Sequence, residues 1–159
     1  MTKSDTDTSV HRSIAVRASR ERAFQVFTEG IGSWWPPEHH LISGELAEMV
    51  FEPWVGGHII DRAVNGSECR WSRVLAFDPP ASFTMSWDIS LAWQIETDPT
   101  RTSEIEVTFT DRGDGTTRVD LEHRHLDRHG DGWEGMRSAI GSPNGWQIGL
   151  DRFASTVED

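Results

Sequence analysis

Apolar and polar residues alternate over residues 10–18, with Val10, Ile14, Val16 and Ala18 on one side together with Arg12. A period of two predicts a half-buried strand. Ser19 then stands where a helix needs an N-cap, Glu21 suits the positive end of the first turn, and Ala23, Phe24 and Phe27 recur at helical spacing. Gly30 reads as the C-terminal glycine of that helix. Residues 31–37 form a second short turn or helix closed by Pro36 and Pro37, and 46–53 return to extended structure. Strands follow at 56–63, 68–77 and 82–88, joined through Asn65-Gly66 and through Asp78-Pro79-Pro80-Ala81. Within 82–88, Phe83, Met85 and Trp87 point one way and Ser82, Thr84, Ser86 and Asp88 the other. This predicts one covered face and one wet face.

Residues 91–101 lack a period and read as a long loop or irregular edge. A further hairpin spans 104–110 and 116–126, with Ile105, Val107 and Phe109 on one face and Thr117, Val119, Leu121, His123 and His125 on the matching one. Two histidines therefore end an apolar stripe. A glycine-rich connector over 129–135 leads to Gly145-Trp146 and a last helix, where Trp146, Leu150, Phe153 and Val157 repeat at helical spacing. Gly149 inside that helix costs about 1 kcal/mol against alanine, so it marks either a cavity wall or a close approach to the sheet. The predicted fold is α+β: a curved antiparallel sheet of about six to seven strands wrapped around a long C-terminal helix, with two short helices after the first strand. Residues 10–159 are expected to be one domain, preceded by a disordered tail over residues 1–9.

Composition narrows the partners. A net charge of −11, with one lysine and fourteen scattered arginines, argues against nucleic acid and against an anionic membrane. No apolar run suits a signal peptide or a membrane span. The lone Cys69 has no intrachain disulfide partner, and a cytoplasmic location is expected. Eight tryptophans with no tyrosine point to a roomy aromatic interior or an exposed contact face.

Several short blocks carry a family resemblance when taken in order: Ala18-Ser19-x-Glu21-Arg22-Ala23-Phe24 with Phe27, Ile31-Gly32-x-Trp34-Trp35-Pro36, Phe51-Glu52-Pro53-x-x-Gly56-Gly57, Trp71-x-x-Val74-Leu75-x-Phe77-Asp78-Pro79-Pro80, and Gly145-Trp146. Together they make the chain resemble the SRPBCC (START-like) superfamily, whose helix-grip fold is shared with the major birch pollen allergen. Within it the chain is most similar to the group related to the C-terminal domain of the heat-shock-protein-90 ATPase activator. The resemblance implies a sheet gripping the last helix with a pocket between them. It leaves three functions open, since such folds include ligand carriers, cyclases and aromatases, and co-chaperone domains.

The expected function is binding of a small apolar or amphipathic molecule between sheet and helix. The expected lining is Trp71, Phe83, Met85, Trp87, Ile105, Val107, Phe109, Val119, Leu121, His123, Trp146, Leu150 and Phe153, with Phe24, Phe27, Trp34 and Trp35 closing one end. A cyclase or dehydratase using His123 or His125 as acid or base, and a domain regulating a chaperone partner, are the alternatives. His123, His125 and His129, with Asp127 and Asp131 nearby, have the residue types of a zinc site. That stretch also reads as a strand end entering a polar loop, and neither metal nor cofactor is assigned. Arg73, on the face expected for Trp71, Leu75 and Phe77, is either an anion partner or an arginine reaching to water.

Overall fold

A computed structural model describes residues 7–36, 39–42 and 44–158. Seven antiparallel strands form one sheet in the order β1-β7-β6-β5-β4-β3-β2: β1 Val10–Val16, β2 Leu46–Phe51, β3 His58–Ala63, β4 Glu68–Asp78, β5 Ser82–Trp87, β6 Ser103–Asp111 and β7 Thr117–Arg124. Helix α1, Arg20–Phe27, and a single 3-10 turn, Ile31–Ser33, follow the first strand. Helix α2 spans Trp133–Ile140, and α3, Ile148–Glu158, packs against α1 and β1. This is the helix-grip arrangement: a twisted sheet closes round a helix because only the helix's apolar stripe can cover the sheet's concave side. Of the expected tail, residues 1–6 lie outside the described residues. Thr8 accepts from the Leu126 amide at 3.0 Å, and the Ser9 carbonyl accepts from Arg137 Nε at 3.0 Å.

Helix α1 starts as the sequence dictates, with Ser19 Oγ accepting from the Arg22 amide at 3.2 Å and Ala23, Phe24 and Phe27 buried. Its end differs from expectation. Gly30 has φ of −90° rather than a left-handed value, and the Thr28 hydroxyl closes the helix by donating to the Phe24 carbonyl at 2.8 Å. Glycine is needed at position 30 because an added Cβ would lie 2.8 Å from the Val26 carbonyl oxygen.

Three register shifts curve the sheet, at Leu46/Glu48, Ile59/Ile60 and Val74/Ala76. The second reverses the alternation of β4 beyond Trp71. Arg73 therefore leaves the face of Trp71 and reaches Asp88 through two bonds, Nε to Oδ2 at 2.9 Å and Nη2 to Oδ1 at 3.0 Å. It is neither a pocket group nor a free surface arginine. The expected wet face of β5 is also corrected: Thr84, Ser86 and Asp88 are buried. Ser86 Oγ accepts from the Arg73 amide at 2.8 Å, and its carbonyl accepts from Ser72 Oγ at 2.5 Å. A strand central in the sheet is covered on both sides, and its small hydroxyls pair with neighbouring backbone.

Helix α2 replaces part of the expected glycine-rich connector. Trp133, Met136 and Ile140 have helical spacing, and the last two are buried. Gly130 and Gly132 supply positive φ values of 96° and 97° just before the helix, which is what gave the segment the look of a loop.

The phenylalanine end of the core is solid. Phe27 meets Trp34, Phe153 and Phe83 with ring centres 4.7, 4.9 and 5.7 Å apart, and Phe24 meets Phe109 at 5.2 Å. Phe27→Ala is expected to destabilise the protein by about 3–5 kcal/mol, measured by urea unfolding. A loss below about 1 kcal/mol would contradict this packing.

Candidate functional site

At the opposite end of the sheet–helix interface the interior is hollow. A cavity of about 410 Å³ lies among Trp35, Trp71, Trp87, Trp93 and Trp146, with Ile89, Ile140 and Gly149 adding apolar wall and His39, His40, Asp61, Ser142 and Asn144 adding polar groups. The indoles brace one another. Trp35 is 5.0 Å from Trp71 and 5.7 Å from Trp146 between ring centres, while Trp87 is 6.0 Å from Trp71 and 5.8 Å from Trp146. Their size and rigidity keep the space open, since a flat ring cannot fold into a gap as a flexible side chain does.

Of the seventeen expected site residues, the structure places Trp35, Trp71, Trp87 and Trp146 on the cavity wall. Phe24, Phe27, Trp34, Phe83, Met85, Ile105, Val107, Phe109, Leu121, Leu150 and Phe153 lie instead in the filled core, as does Val119. The reason is the ring packing described above. Phenylalanines and aliphatic side chains interdigitate where the five tryptophans of the cavity wall do not. Trp34, expected at the pocket's end, is fully buried, with Nε1 donating to the Val26 carbonyl at 3.1 Å.

Gly149 borders the cavity on one side and Trp34 on the other, where an added Cβ would sit 3.5 Å from the indole. The cavity-wall reading of this glycine holds, while the close approach is to Trp34, which follows the 3-10 turn Ile31–Ser33, and not to a strand of the sheet.

His123 sits just behind the wall, fully buried between Trp87 and Trp146. The Trp146 indole can only donate, so His123 Nδ1 accepts it at 3.0 Å and the ring carries its proton on Nε2. That proton goes to Ser103 Oγ at 2.7 Å, and the Ser103 hydroxyl in turn donates to His129 Nε2 at 2.8 Å. The chain ends at His129 Nδ1, a buried atom with no partner among the described residues. Burial pushes the His123 imidazole well below its ordinary pKa of 6.5, and the adjacent His129 adds to the shift. His129 is also lowered, chiefly by burial.

His125 does not join this group. It has a left-handed φ of 61° and begins the 3-10 turn Leu126–His129, off the strand. A β-strand's alternation ends where the backbone turns, so the expected pair of inward histidines is replaced by His123 and His129. Among the described residues no cluster of three or more His, Cys, Asp or Glu side chains is arranged to hold a metal ion.

The polar groups that face the cavity are others. Asp61 follows Ile59 and Ile60 in β3 and is buried. Its Oδ1 accepts from Trp71 Nε1 at 3.1 Å, and its Oδ2 pairs with His40 Nδ1 at 2.7 Å. With both oxygens bonded, the carboxylate is a fixed hydrogen-bond acceptor in an apolar wall. In β3, His-Ile-Ile-Asp-Arg-Ala, Asp61 stands next to Arg62, and the sequence does not distinguish it from a solvated acid. His40 lies in a loop without a period, and nothing in the sequence distinguishes it from its neighbour His39.

The chain belongs to the family described as Activator of Hsp90 ATPase homolog 1-like protein, whose model matches residues 17–158. Among solved structures it is similar to an anthrahydroquino-gamma-pyrone synthase complexed with SUM, at 44% identity and TM-score 0.66 over 93% of this chain and 96% of that one. It is also similar to CalC, a self-sacrificing resistance protein from Micromonospora echinospora, at 28% identity and TM-score 0.62 over 95% of this chain and 94% of that one. The Aha1 dimer from Colwellia psychrerythraea shares the fold, at 17% identity and TM-score 0.61 over 94% of this chain and 96% of that one. No curated protein sequence matches the chain. No helix among the described residues is long and apolar enough to cross a membrane.

Acid should weaken this structure. The folded state keeps His123 neutral while the unfolded chain protonates near pH 6.5, so the unfolded state binds more protons below that value and stability falls as the pH drops. Urea unfolding from pH 7.5 to pH 5 is expected to show a loss approaching about 1.4 kcal/mol per pH unit for this group, with a shallower slope in His123→Gln. Equal slopes in the two proteins would contradict the assignment.

Proposed function

We propose that this protein is a cyclase that binds a planar, polycyclic aromatic molecule of polyketide type in the tryptophan-walled cavity and closes a pyrone ring on it. The observation that carries this reading is the cavity itself: about 410 Å³, bordered by five indoles, with a buried carboxylate and an imidazole set into its wall. Flat aromatic walls favour a flat aromatic ligand, through offset and edge-to-face contacts, and a few fixed polar groups orient it. The 44% identity to a pyrone synthase supports the same class of ligand and reaction.

In this reading Trp35, Trp71, Trp87, Trp93 and Trp146 contact the ligand. The phenylalanine core supports them without touching it. His123 acts from behind the wall, by fixing the Trp146 indole. The protein works in the cytoplasm, with residues 10–159 as one domain.

A carrier without turnover would use the same indoles, but it has no need of a paired histidine and carboxylate. A chaperone-regulating role rests on the family's description and on a structure only 17% identical, and it makes no use of the cavity.

Calorimetric titration with the hydroxyanthraquinone emodin tests the binding surface. Saturable one-to-one binding is expected, weakened about tenfold in Trp35→Ala, the scale of one lost aromatic contact. No binding, or binding indifferent to Trp35→Ala, would refute this use of the cavity. Gly149→Ala offers a second check: it should raise stability by about 0.5–1 kcal/mol and leave emodin binding within about twofold, because the added methyl group meets the Trp34 indole at an ordinary contact distance of 3.5 Å, on the side away from the cavity. A lower melting temperature would contradict that placement.

A further inference from the structure

We propose that His40 and Asp61 form the acid–base dyad of this cavity, and that its substrate is an ortho-hydroxyaryl β-diketone, closed to a γ-pyrone with loss of water. The inference rests on the cyclase reading above and names the groups that would perform it.

The geometry assigns each proton. Trp71 Nε1 can only donate, so it occupies Asp61 Oδ1 at 3.1 Å and fixes the carboxylate plane. Oδ2 then receives the Nδ1 proton of His40 at 2.7 Å. Nδ1 being the protonated nitrogen, Nε2 carries the free lone pair, and it makes no hydrogen bond among the described residues. The side chains of Asp61 and His40 are 2% and 9% exposed, and both residues border the cavity. An imidazole oriented by a buried carboxylate, with its second nitrogen free, is the arrangement of a general base. The other titratable residue on the wall is the exposed His39, which makes no such contact. Asp61 is unsuited to act directly, because both of its oxygens are already bonded.

The chemistry balances without an oxidant or reductant. His40 Nε2 takes the phenolic proton as the phenol oxygen adds to the distal ketone carbon. One C–O bond forms, and the carbonyl π pair moves onto oxygen, which receives the proton back from the imidazolium. The product is a cyclic hemiketal. Nε2 next removes a proton from the methylene carbon between the former carbonyls; the C–H pair becomes the ring double bond, and the hemiketal hydroxyl leaves as water with the proton supplied by the imidazolium. One water is lost, and the dyad returns to its starting state. Asp61 stabilises the imidazolium in both steps, through the bond that orients the ring.

The test uses the full chain with ortho-hydroxydibenzoylmethane, whose closure to flavone is followed by absorbance, and calorimetry to measure its binding separately. The wild type is expected to bind the diketone and accelerate closure. His40→Gln should retain affinity within about threefold while kcat falls by about 10²–10⁴-fold. Added imidazole should restore part of the rate in His40→Gly, which loss of a merely structural side chain would not allow. Asp61→Asn should lower kcat at least about tenfold; the His40 variants carry the test if this buried change prevents folding. Wild-type kcat in a folded His40→Gln protein would overturn the dyad and leave the cyclase standing. Binding without acceleration by the wild type would overturn the cyclase reading and the dyad with it, and absence of binding would overturn the substrate class as well.

Discussion

A single buried hydrogen bond ties the gripping helix to the sheet it covers: the Trp146 indole donating to His123 Nδ1 at 3.0 Å. Trp146 stands in the wound segment Pro143–Gln147 that opens α3, and His123 stands near the end of β7. The bond therefore sets where the helix begins relative to the strands. It also holds a large indole as cavity wall rather than letting it swing into the space behind. Ser103 and His129 extend the tie to β6 and to the turn after β7, and the donor-only indole gives every proton in the chain a direction.

From that constraint follows the division of the interior. On one side, phenylalanines and branched aliphatics interdigitate at van der Waals distance and leave no room. On the other, rigid indoles meet at tilted and edge-to-face angles around a gap. The solid half supplies most of the stability through buried apolar area, and it allows the other half to stay hollow. Gly149 lies at the junction, with Trp34 on one side and the cavity on the other. A binding site next to a filled core is well supported, because its wall residues are themselves held by packed neighbours.

The fold was legible in the sequence because its signals are local. The alternation in β1, β6 and β7, the cap at Ser19, the Asn65-Gly66 turn and the helical spacing of Trp146, Leu150 and Phe153 are each set by nearby residues. What lay hidden depended on tertiary context. A register shift near Trp71 moved Arg73 to the other face, central position buried the hydroxyls of β5, and glycines concealed α2. The candidate site was only partly legible: tryptophan content announced an aromatic interior, yet apolar alternation alone could not separate cavity wall from filled core. His40 was unreadable, because a loop histidine acquires its role only when β3 brings Asp61 to it.

The central claim is that the indole-walled space holds a flat aromatic molecule against His40. A crystal structure of the protein with emodin bound tests this most directly. The account predicts the ring system lying between Trp35 and Trp146, with a ligand oxygen about 3 Å from His40 Nε2. Emodin found elsewhere on the molecule, with the indoles collapsed into the empty space, would contradict it.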